Sequence, residues 1–167
     1  MAGASTIVKN FRDGTIKIQD NTGTPVAITV AYEEGNFSIS GLQQDLTEVA
    51  AYMDRGSLSN LRKTNQVFPT FTFSAYMTHF TSGGSGAISI LEFIKQQDGG
   101  SSLTSQSASK GDVMTFEVQI KVEGTDFGDT SDHQITLQEC VLSVDYSEGD
   151  PSSFSVSGTC YGAVSVA

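Results

Sequence analysis

Several residues and segments that identify common classes of protein are scarce in this chain of 167 residues. It has no tryptophan, three prolines and two cysteines, Cys140 and Cys160, so it is not a disulfide-stapled scaffold. Residues 1–8 lack the basic start and apolar core of a secretory signal. No apolar run approaches the roughly 20 residues that a membrane-spanning helix needs. These absences predict a soluble protein made in a cytoplasm.

Clusters of basic residues are also missing. Nineteen acidic residues face nine basic ones, which gives a formal net charge of −10. A protein that grips nucleic acid neutralises phosphates with grouped lysines and arginines, and adhesion to an anionic membrane needs the same groups. The charge therefore argues against both kinds of partner, and its simplest consequence is solubility.

Alternation of apolar and polar residues dominates what is present, and it predicts a mainly β protein. The predicted strands cover residues 15–20, 25–32, 37–40, 68–80, 114–123, 134–146 and 153–166. Short turns between the first three of these strands favour a meander, in which each strand pairs with the next one in the sequence. Residues 87–97 alone have the apolar spacing of a helix, with Ile88, Leu91 and Ile94 on one side. The glycines at 99 and 100 are predicted to end this helix.

The segment 43–67 is the hardest to interpret. Leu46, Val49, Ala50 and Met53 fit a helical stripe, but the same residues also fit a strand. Residues 55–67 have weak periodicity and predict a long extended loop. A loop of about 12 residues within a compact domain is unusual and is often functional.

The last two long strands predict a hairpin whose register follows from its pattern. A turn over 147–152, centred near Asp150, sorts the apolar residues onto one face, because a slip of one residue would reverse every side chain. The predicted pairs are Tyr146 with Phe154, Val144 with Val156, Leu142 with Gly158, and Cys140 with Cys160. In a cytosolic product we expect the two adjacent cysteines to be reduced and packed rather than bridged.

No residue pattern predicts catalysis or a metal. His79 and His133 have no ligands at a recognised spacing, and the acids Asp126, Asp129 and Asp132 recur every third residue, unlike a calcium loop. No nucleophile is accompanied by a base and an orienting group. We therefore expect no enzyme activity, no cofactor and no metal site.

Several stretches together resemble the phage tail tube (major tail) proteins. They are EVAAYMDRGSLSNLRK over 48–63, FTFSA over 71–75, the helix with LEFI over 91–94, and the strands 135–146 and 154–164. The family is related in fold to the tubes of type VI secretion and contractile bacteriocins. The resemblance favours the strand interpretation of 43–54. It implies one domain over 1–167, an antiparallel β-sandwich or half-barrel with one short helix packed on its side.

In function, the resemblance implies a subunit of hexameric rings that stack into a conduit for DNA in the tail of the virion, assembled in the bacterial host cytoplasm. Its partners would be further copies of itself, tail completion proteins, and baseplate or tail-tip proteins, with a sheath protein as a further candidate. The segment 55–67 would supply the contact between rings. The candidates are Asp54, Arg55, Leu58, Leu61, Arg62, Lys63 and Val67.

The acidic composition gains a specific meaning in a conduit, because each neutralised phosphate would add affinity for the passing DNA. Glu117, Glu123, Glu139 and Asp145 are therefore candidates for a lumen-facing surface. Two alternatives stay open. One is a tube subunit of a type VI secretion or bacteriocin system, and the other is a carbohydrate-binding adhesive β-sandwich, which usually presents exposed tryptophan or tyrosine platforms.

Overall fold

A computed structural model describes residues 14–30, 36–78, 88–96, 112–122 and 130–167. Within them the predicted mainly β class is confirmed, with antiparallel sheets and one short helix. The elements are β1 Thr15–Asp20, β2 Ala27–Thr29, β3 Ser38–Ser40, β4 Thr47–Asp54, β5 Ser57–Gln66, β6 Thr70–Tyr76, α1 Ile90–Lys95, β7 Phe116–Val122, β8 His133–Ser147, β9 Ser153–Cys160 and β10 Val164–Val166.

Eight of the strands form one curled sheet. Its order is β2-β1-β7-β8-β9-β6-β3, with β10 paired to the start of β8; among the described strands, β4 and β5 pair only with each other. Val30 beyond β2, Ala75 on β6 and Ile90 on α1 line a common small cavity. Since β2 and β6 are far apart in the sheet order, the sheet must curl so that its two ends approach each other beside α1. The described strands thus have the predicted sandwich-like or half-barrel arrangement and do not close into a barrel.

The core lies on the inner face of the curled sheet, where alternate residues of each long strand are buried. Phe71 and Phe73 on β6, Val118 on β7 and Val156 on β9 are at most 2% exposed, and Phe93 adds the apolar side of α1. Burial of one such side chain stabilises the fold by roughly 1.5–3 kcal/mol. These side chains form the hydrophobic core of the sheet.

The C-terminal hairpin confirms the predicted register at all four residue pairs, including Cys140 opposite Cys160. Both cysteines are free and buried. A hydrogen bond with Cys160, together with burial, raises the pKa of Cys140, so this residue remains a thiol near neutral pH. Gly158 faces Leu142 in the same hairpin and lies beneath the ring of Phe71.

The helix is shorter than the predicted 87–97. It begins after Ser89, whose hydroxyl accepts from the Glu92 N–H at 3.3 Å while the Glu92 carboxylate accepts from the Ser89 N–H at 2.9 Å. This reciprocal capping box fixes the first turn. Gln96 ends the helix in a left-handed conformation with φ of 52°. The predicted glycine stop at 99 and 100 lies outside the described residues.

Three predictions about strand pairing and length are wrong. β3 pairs with β6 rather than with β2, so the first three strands do not form a meander. Phe37 stacks on the buried Phe71 with ring centroids 6.0 Å apart, and this apolar contact supplies the reason. The second strand is shorter than 25–32, and the predicted 153–166 strand divides into β9 and β10 because β10 turns back to pair with β8.

The segment 43–67 contains two strands. The strand interpretation of 43–54 is confirmed by β4, whereas the extended loop over 55–67 is wrong, because residues 57–66 form β5. Of the strands in the described ranges, β5 pairs antiparallel with β4 alone, and all ten of its residues are exposed. A strand with no buried face needs no two-residue alternation, which is why its sequence resembled that of a loop.

Candidate functional site

The first candidate site is the hairpin, which comprises β4, β5 and the turn between them (residues 47–66). Arg55 and Gly56 form the turn and both have positive φ values, 46° and 84°. Two consecutive residues with positive φ give the tight turn whose twist matches paired strands. Asp54 opposite Ser57 closes the register at this tip. Local sequence therefore shapes the hairpin without help from the core.

The hairpin exposes an unusual amount of apolar surface. Val49, Tyr52, Met53, Leu58 and Leu61 are each between 50% and 62% exposed. A two-stranded hairpin standing alone in water is marginally stable at best. Contiguous exposed apolar surface of this kind marks a surface for interaction. Among the described residues no other strand pairs with the hairpin, which makes its exposed surface a candidate for contact with a partner.

Charged side chains are also concentrated on the hairpin. It carries three of the nine basic residues of the chain, Arg55, Arg62 and Lys63. Lys63 forms an exposed ion pair with Asp45 at 2.9 Å, and the Arg62 guanidinium lies 5.5 Å from the centroid of the Tyr52 ring. Exposed pairs of this type contribute at most about 1 kcal/mol. Glu48 and Asp54 lie on the same hairpin, so its formal net charge is only +1, within a chain whose net charge is −10.

The structure places six of the seven predicted inter-ring candidates in the hairpin and the seventh, Val67, directly after it. Asp54 and Arg55 lie at the tip, and the next four lie on β5: Leu58, Leu61, Arg62 and Lys63. Val67 follows β5 at the base of the hairpin, where its N–H donates to the Leu46 carbonyl at 2.7 Å. Their role in contact between rings stays a prediction.

The four lumen candidates do not form one group. Asp145 is exposed on β8, opposite Ser155 of β9. Glu117 on β7 and Glu139 on β8 instead line a shared depression with Asn21, Thr115 and Gln138. Glu123 lies outside the described residues.

A β-bulge places Glu139 beside Glu117. Phe116 pairs with Cys140 and Val118 with Leu137, so β8 has one residue more than β7 between these pairs. Glu139 has φ of 53°, a left-handed conformation that is typical of an extra residue in a bulge. The sequence predicted the polar face for Glu139 but gave no sign of the bulge.

The outer face of β9, β6 and β3 is lined with hydroxyl groups. Ser40 and Thr70 share a hydrogen bond of 2.9 Å between their hydroxyls, and Asn36 donates to the Ser74 hydroxyl at 3.0 Å. We call this surface the hydroxyl strip, and it consists of Ser38, Ser40, Thr70, Thr72, Ser74, Ser155, Ser157 and Thr159. It is polar and uncharged, with Asp145 at its border.

A second apolar surface, which the sequence did not predict, lies beside the acidic depression. Val113, Thr115, Val141 and Tyr161 line an open hollow with a volume of about 430 Å³. Val113 and Tyr161 are 48% and 47% exposed. The ring of Phe68, just beyond β5, lies 4.9 Å from the Tyr161 ring, measured between centroids. No periodic pattern in the sequence connects these residues, because they come from three separate chain segments.

The described residues contain no group of three or more potential metal ligands. Asp132 forms an ion pair with Lys121, and His133 is the first residue of β8 rather than part of a loop. His79, Asp126 and Asp129 lie outside the described residues. Among the described helices, none has the length and apolar character required to cross a membrane.

Comparison with known proteins identifies the fold. No protein-family model matches the chain, and no curated protein matches it. A chain in the cryo-EM structure of the sheath/tube terminator of PVC, an extracellular contractile injection system, in its extended state, matches with a TM-score of 0.61 at 12% identity. This match covers 98% of this chain and 99% of the other.

Two further solved structures show the same likeness. A chain in the tube-terminating cap of the anti-feeding prophage matches with a TM-score of 0.51 at 14% identity, over 100% of this chain and 94% of the other. A chain in the PVC sheath–tube complex matches with a TM-score of 0.50 at 11% identity, over 91% and 87%. The protein therefore has a tail-tube-like fold that also occurs in contractile injection systems.

Proposed function

We propose that this chain is a structural subunit of a phage tail tube, which assembles into stacked, hexameric rings around a passage for DNA. The observation that carries the proposal is the hairpin, an exposed apolar projection that pairs with no other strand among the described residues. The tail-tube-like fold supports the same function. The seven inter-ring candidates named above are proposed to make the contact between rings.

Ring closure has a physical rationale in the curled sheet. Among the described strands, β2 and β3 are the two ends of the sheet order. Terminal strands present backbone N–H and C=O groups that a neighbouring copy can pair. Copies joined edge to edge complete the barrel that one chain leaves open.

The passage is proposed to be lined by the hydroxyl strip and Asp145. Neutral hydroxyls and a carboxylate neutralise no phosphate, so the surface adds little affinity for a polyanion. The lumen predictions for Glu117, Glu139 and Glu123 are untested. Partners of the assembled tube would be tail completion, baseplate or tail-tip, and sheath proteins, in the tail of a virion assembled in the host cytoplasm. This role requires neither catalysis nor a cofactor.

The direct test is negative-stain electron microscopy of the purified protein over a series of salt concentrations. We expect rings or tubes, and more of them as salt rises, because each copy carries a formal charge of −10 and the Debye length falls to about 8 Å at physiological ionic strength. A protein that stays monomeric at every concentration and ionic strength would overturn the proposal. Binding to a glycan array without assembly would instead favour the adhesive β-sandwich.

A second candidate is a terminating ring of a contractile injection system, including those of the type VI and bacteriocin kinds. The observation that favours it is the TM-score of 0.61, over nearly the whole of both chains, to a chain in a sheath/tube terminator structure. A tube subunit should polymerise into tubes of variable length, whereas a terminator should stop at a single ring. The length distribution in the same micrographs separates the two.

A further inference from the structure

Cys140 on β8 and Cys160 on β9 face each other at the last register position of their hairpin. β9 ends at Cys160, and the residue before Cys140 is Glu139, which adopts the left-handed conformation of the bulge. Both cysteine side chains are buried on the inner face of the sheet, where their sulfurs share a hydrogen bond. The function proposed above uses neither thiol.

The backbone holds this cysteine pair in a geometry that a disulfide can span. The Cys160 N–H donates to the Pro69 carbonyl at 2.8 Å, on the side of the strand that faces away from β8. The next residue, Tyr161, donates to the Glu139 carbonyl of β8 at 3.2 Å. Because neighbouring residues alternate in this way, Cys140 and Cys160 form a non-hydrogen-bonded pair, whose Cα atoms in an antiparallel sheet are about 4.5 Å apart. Disulfides accept Cα separations of about 4.4–6.8 Å, so the register permits a bridge.

The two sulfurs differ in acidity. The hydrogen bond with Cys140 lowers the pKa of Cys160 despite its burial, whereas the same hydrogen bond and burial raise the pKa of Cys140. The thiolate, not the thiol, is the form of cysteine that attacks an oxidant. Cys160 also lies at the end of β9, where local opening requires less free energy than unfolding of the sheet. We therefore expect Cys160 to react first.

We propose that Cys140 and Cys160 are an oxidation-sensitive pair, which hydrogen peroxide converts from two thiols into an intrachain disulfide that fixes the end of the β8–β9 hairpin. The Cys160 thiolate attacks one peroxide oxygen, the O–O bond breaks and hydroxide departs, which leaves a sulfenic acid on Cys160. The Cys140 sulfur then attacks the sulfenic sulfur, so that the S–S bond forms as the S–O bond breaks. The two sulfurs lose two electrons, which the peroxide gains, and both thiol protons end in the two waters released.

The redox state of the surroundings decides which form of the pair is present. The cysteines are free in this structure, which is the form that a reducing cytoplasm maintains. Oxidising surroundings favour the disulfide, which closes the loop from 140 to 160 and thereby restricts the unfolded chain. Passage from the cytoplasm to the outside of a cell follows from the proposed function, whereas formation of the bridge does not depend on it.

The first test treats the purified chain with hydrogen peroxide and follows its mass and its melting temperature. We expect a single-chain species that has lost two hydrogens, with Cys140 and Cys160 joined in one proteolytic fragment. The melting temperature should rise by about 5–10 °C, because closing a loop of about 20 residues lowers the entropy of the unfolded chain. A thiol reductant should return it to the original value.

The matched controls are the variants Cys140→Ser and Cys160→Ser, neither of which can form the bridge. They also control for oxidation of the four methionines, which peroxide converts to sulfoxides whether or not a bridge forms. A rise in melting temperature in the original protein alone therefore reports the bridge. Equal shifts in the original protein and the serine variants would assign the change to methionine and overturn the proposal.

Two further results would also overturn the proposal. One is a chain that retains both thiols, or carries a sulfinic acid on Cys160, without a disulfide. The other is a disulfide that joins two copies, because the register places the second sulfur within the same chain. Neither result bears on assembly, which the micrographs of the untreated protein test separately.

A trapping experiment tests which sulfur reacts first. Cys140→Ser retains a hydroxyl that can donate to the Cys160 sulfur but removes the thiol that would resolve the sulfenic acid. Peroxide should then leave a sulfenic acid on Cys160, which dimedone captures. In Cys160→Ser, labelling of Cys140 should be lower by about tenfold or more, because this residue remains a thiol. Equal labelling in the two variants would overturn the assignment of Cys160 as the attacking sulfur.

Discussion

The eight-stranded sheet and the hairpin are built from the same kind of backbone pairing but bury different amounts of apolar surface. The sheet buries side chains such as Phe71 and Phe154 almost completely, whereas β5 is exposed along its entire length. Backbone hydrogen bonds contribute only modestly to net stability in water, so burial decides which region is stable alone. This comparison is the basis of the proposal that the sheet stabilises the fold of one chain while the hairpin makes contact between chains.

The largest expected difference between the two regions is in the cost of removing an apolar side chain. Phe71→Ala should lower the free energy of unfolding by about 3–5 kcal/mol, because it leaves a cavity in the core. Leu61→Ala, the matched change on the hairpin, should alter it by less than about 0.5 kcal/mol. Urea unfolding of the two monomeric variants measures both values. Similar costs would show that the hairpin packs on its own chain.

A smaller effect is expected from adding a methyl group to the sheet. A Cβ on Gly158 would overlap Cζ of Phe71 and lie 2.8 Å from Cδ2 of Leu142, so Gly158→Ala should destabilise the fold by about 1–3 kcal/mol. Gly23→Ala is the control, because no atom lies within 4 Å of the added Cβ. Thermal unfolding should separate the two variants clearly. Equal melting temperatures would contradict the packing described for β9 against β6.

The N-terminal cap of α1 should contribute less to the free energy of unfolding than the packing at Gly158. Ser89→Ala removes the hydroxyl that accepts from the Glu92 N–H and should cost about 1 kcal/mol. Ser155→Ala, on the exposed face of β9, is the control and should be nearly neutral. Chemical denaturation measures the difference. If both serines behaved alike, α1 would contribute little to the stability of the sheet.

The smallest effect on the free energy of unfolding is expected at the hairpin turn, although a change there should still weaken assembly. Gly56 has φ of 84°, so Gly56→Ala strains the turn although no atom lies near the added Cβ. The unfolding free energy of the monomer should change by less than about 0.5 kcal/mol. Sedimentation should show assembly at a higher protein concentration than for the original protein. A large loss of monomer stability would tie the hairpin to the core.

The sequence predicted well wherever one face of a strand is buried. The register of β8 with β9, the inner positions of β6 and the single helix all followed from apolar periodicity, because burial selects that periodicity. Leu58 and Leu61 on β5 pack against no core, so no pattern revealed their strand.

Features that depend on distant contacts were also missed. The pairing of β3 with β6 places Phe37 against Phe71, more than thirty positions away in the sequence. The bulge at Glu139 depends on how β7 meets β8, and the hollow combines Val113, Val141 and Tyr161 from separate segments. The hairpin candidates were found because a family resemblance, rather than periodicity, drew attention to residues 55–67.

Hydrogen–deuterium exchange of the monomer and of the assembled protein tests the central claim most directly, namely that the hairpin is completed by another copy. In the monomer, amides of β4 and β5 should exchange rapidly while those of β8 and β9 are protected. On assembly, exchange in β4 and β5 should slow by about a hundredfold or more, with little change at the centre of β8 and β9. Hairpin amides that are as protected in the monomer as those of β8, or that stay unprotected in the assembly, would contradict the account.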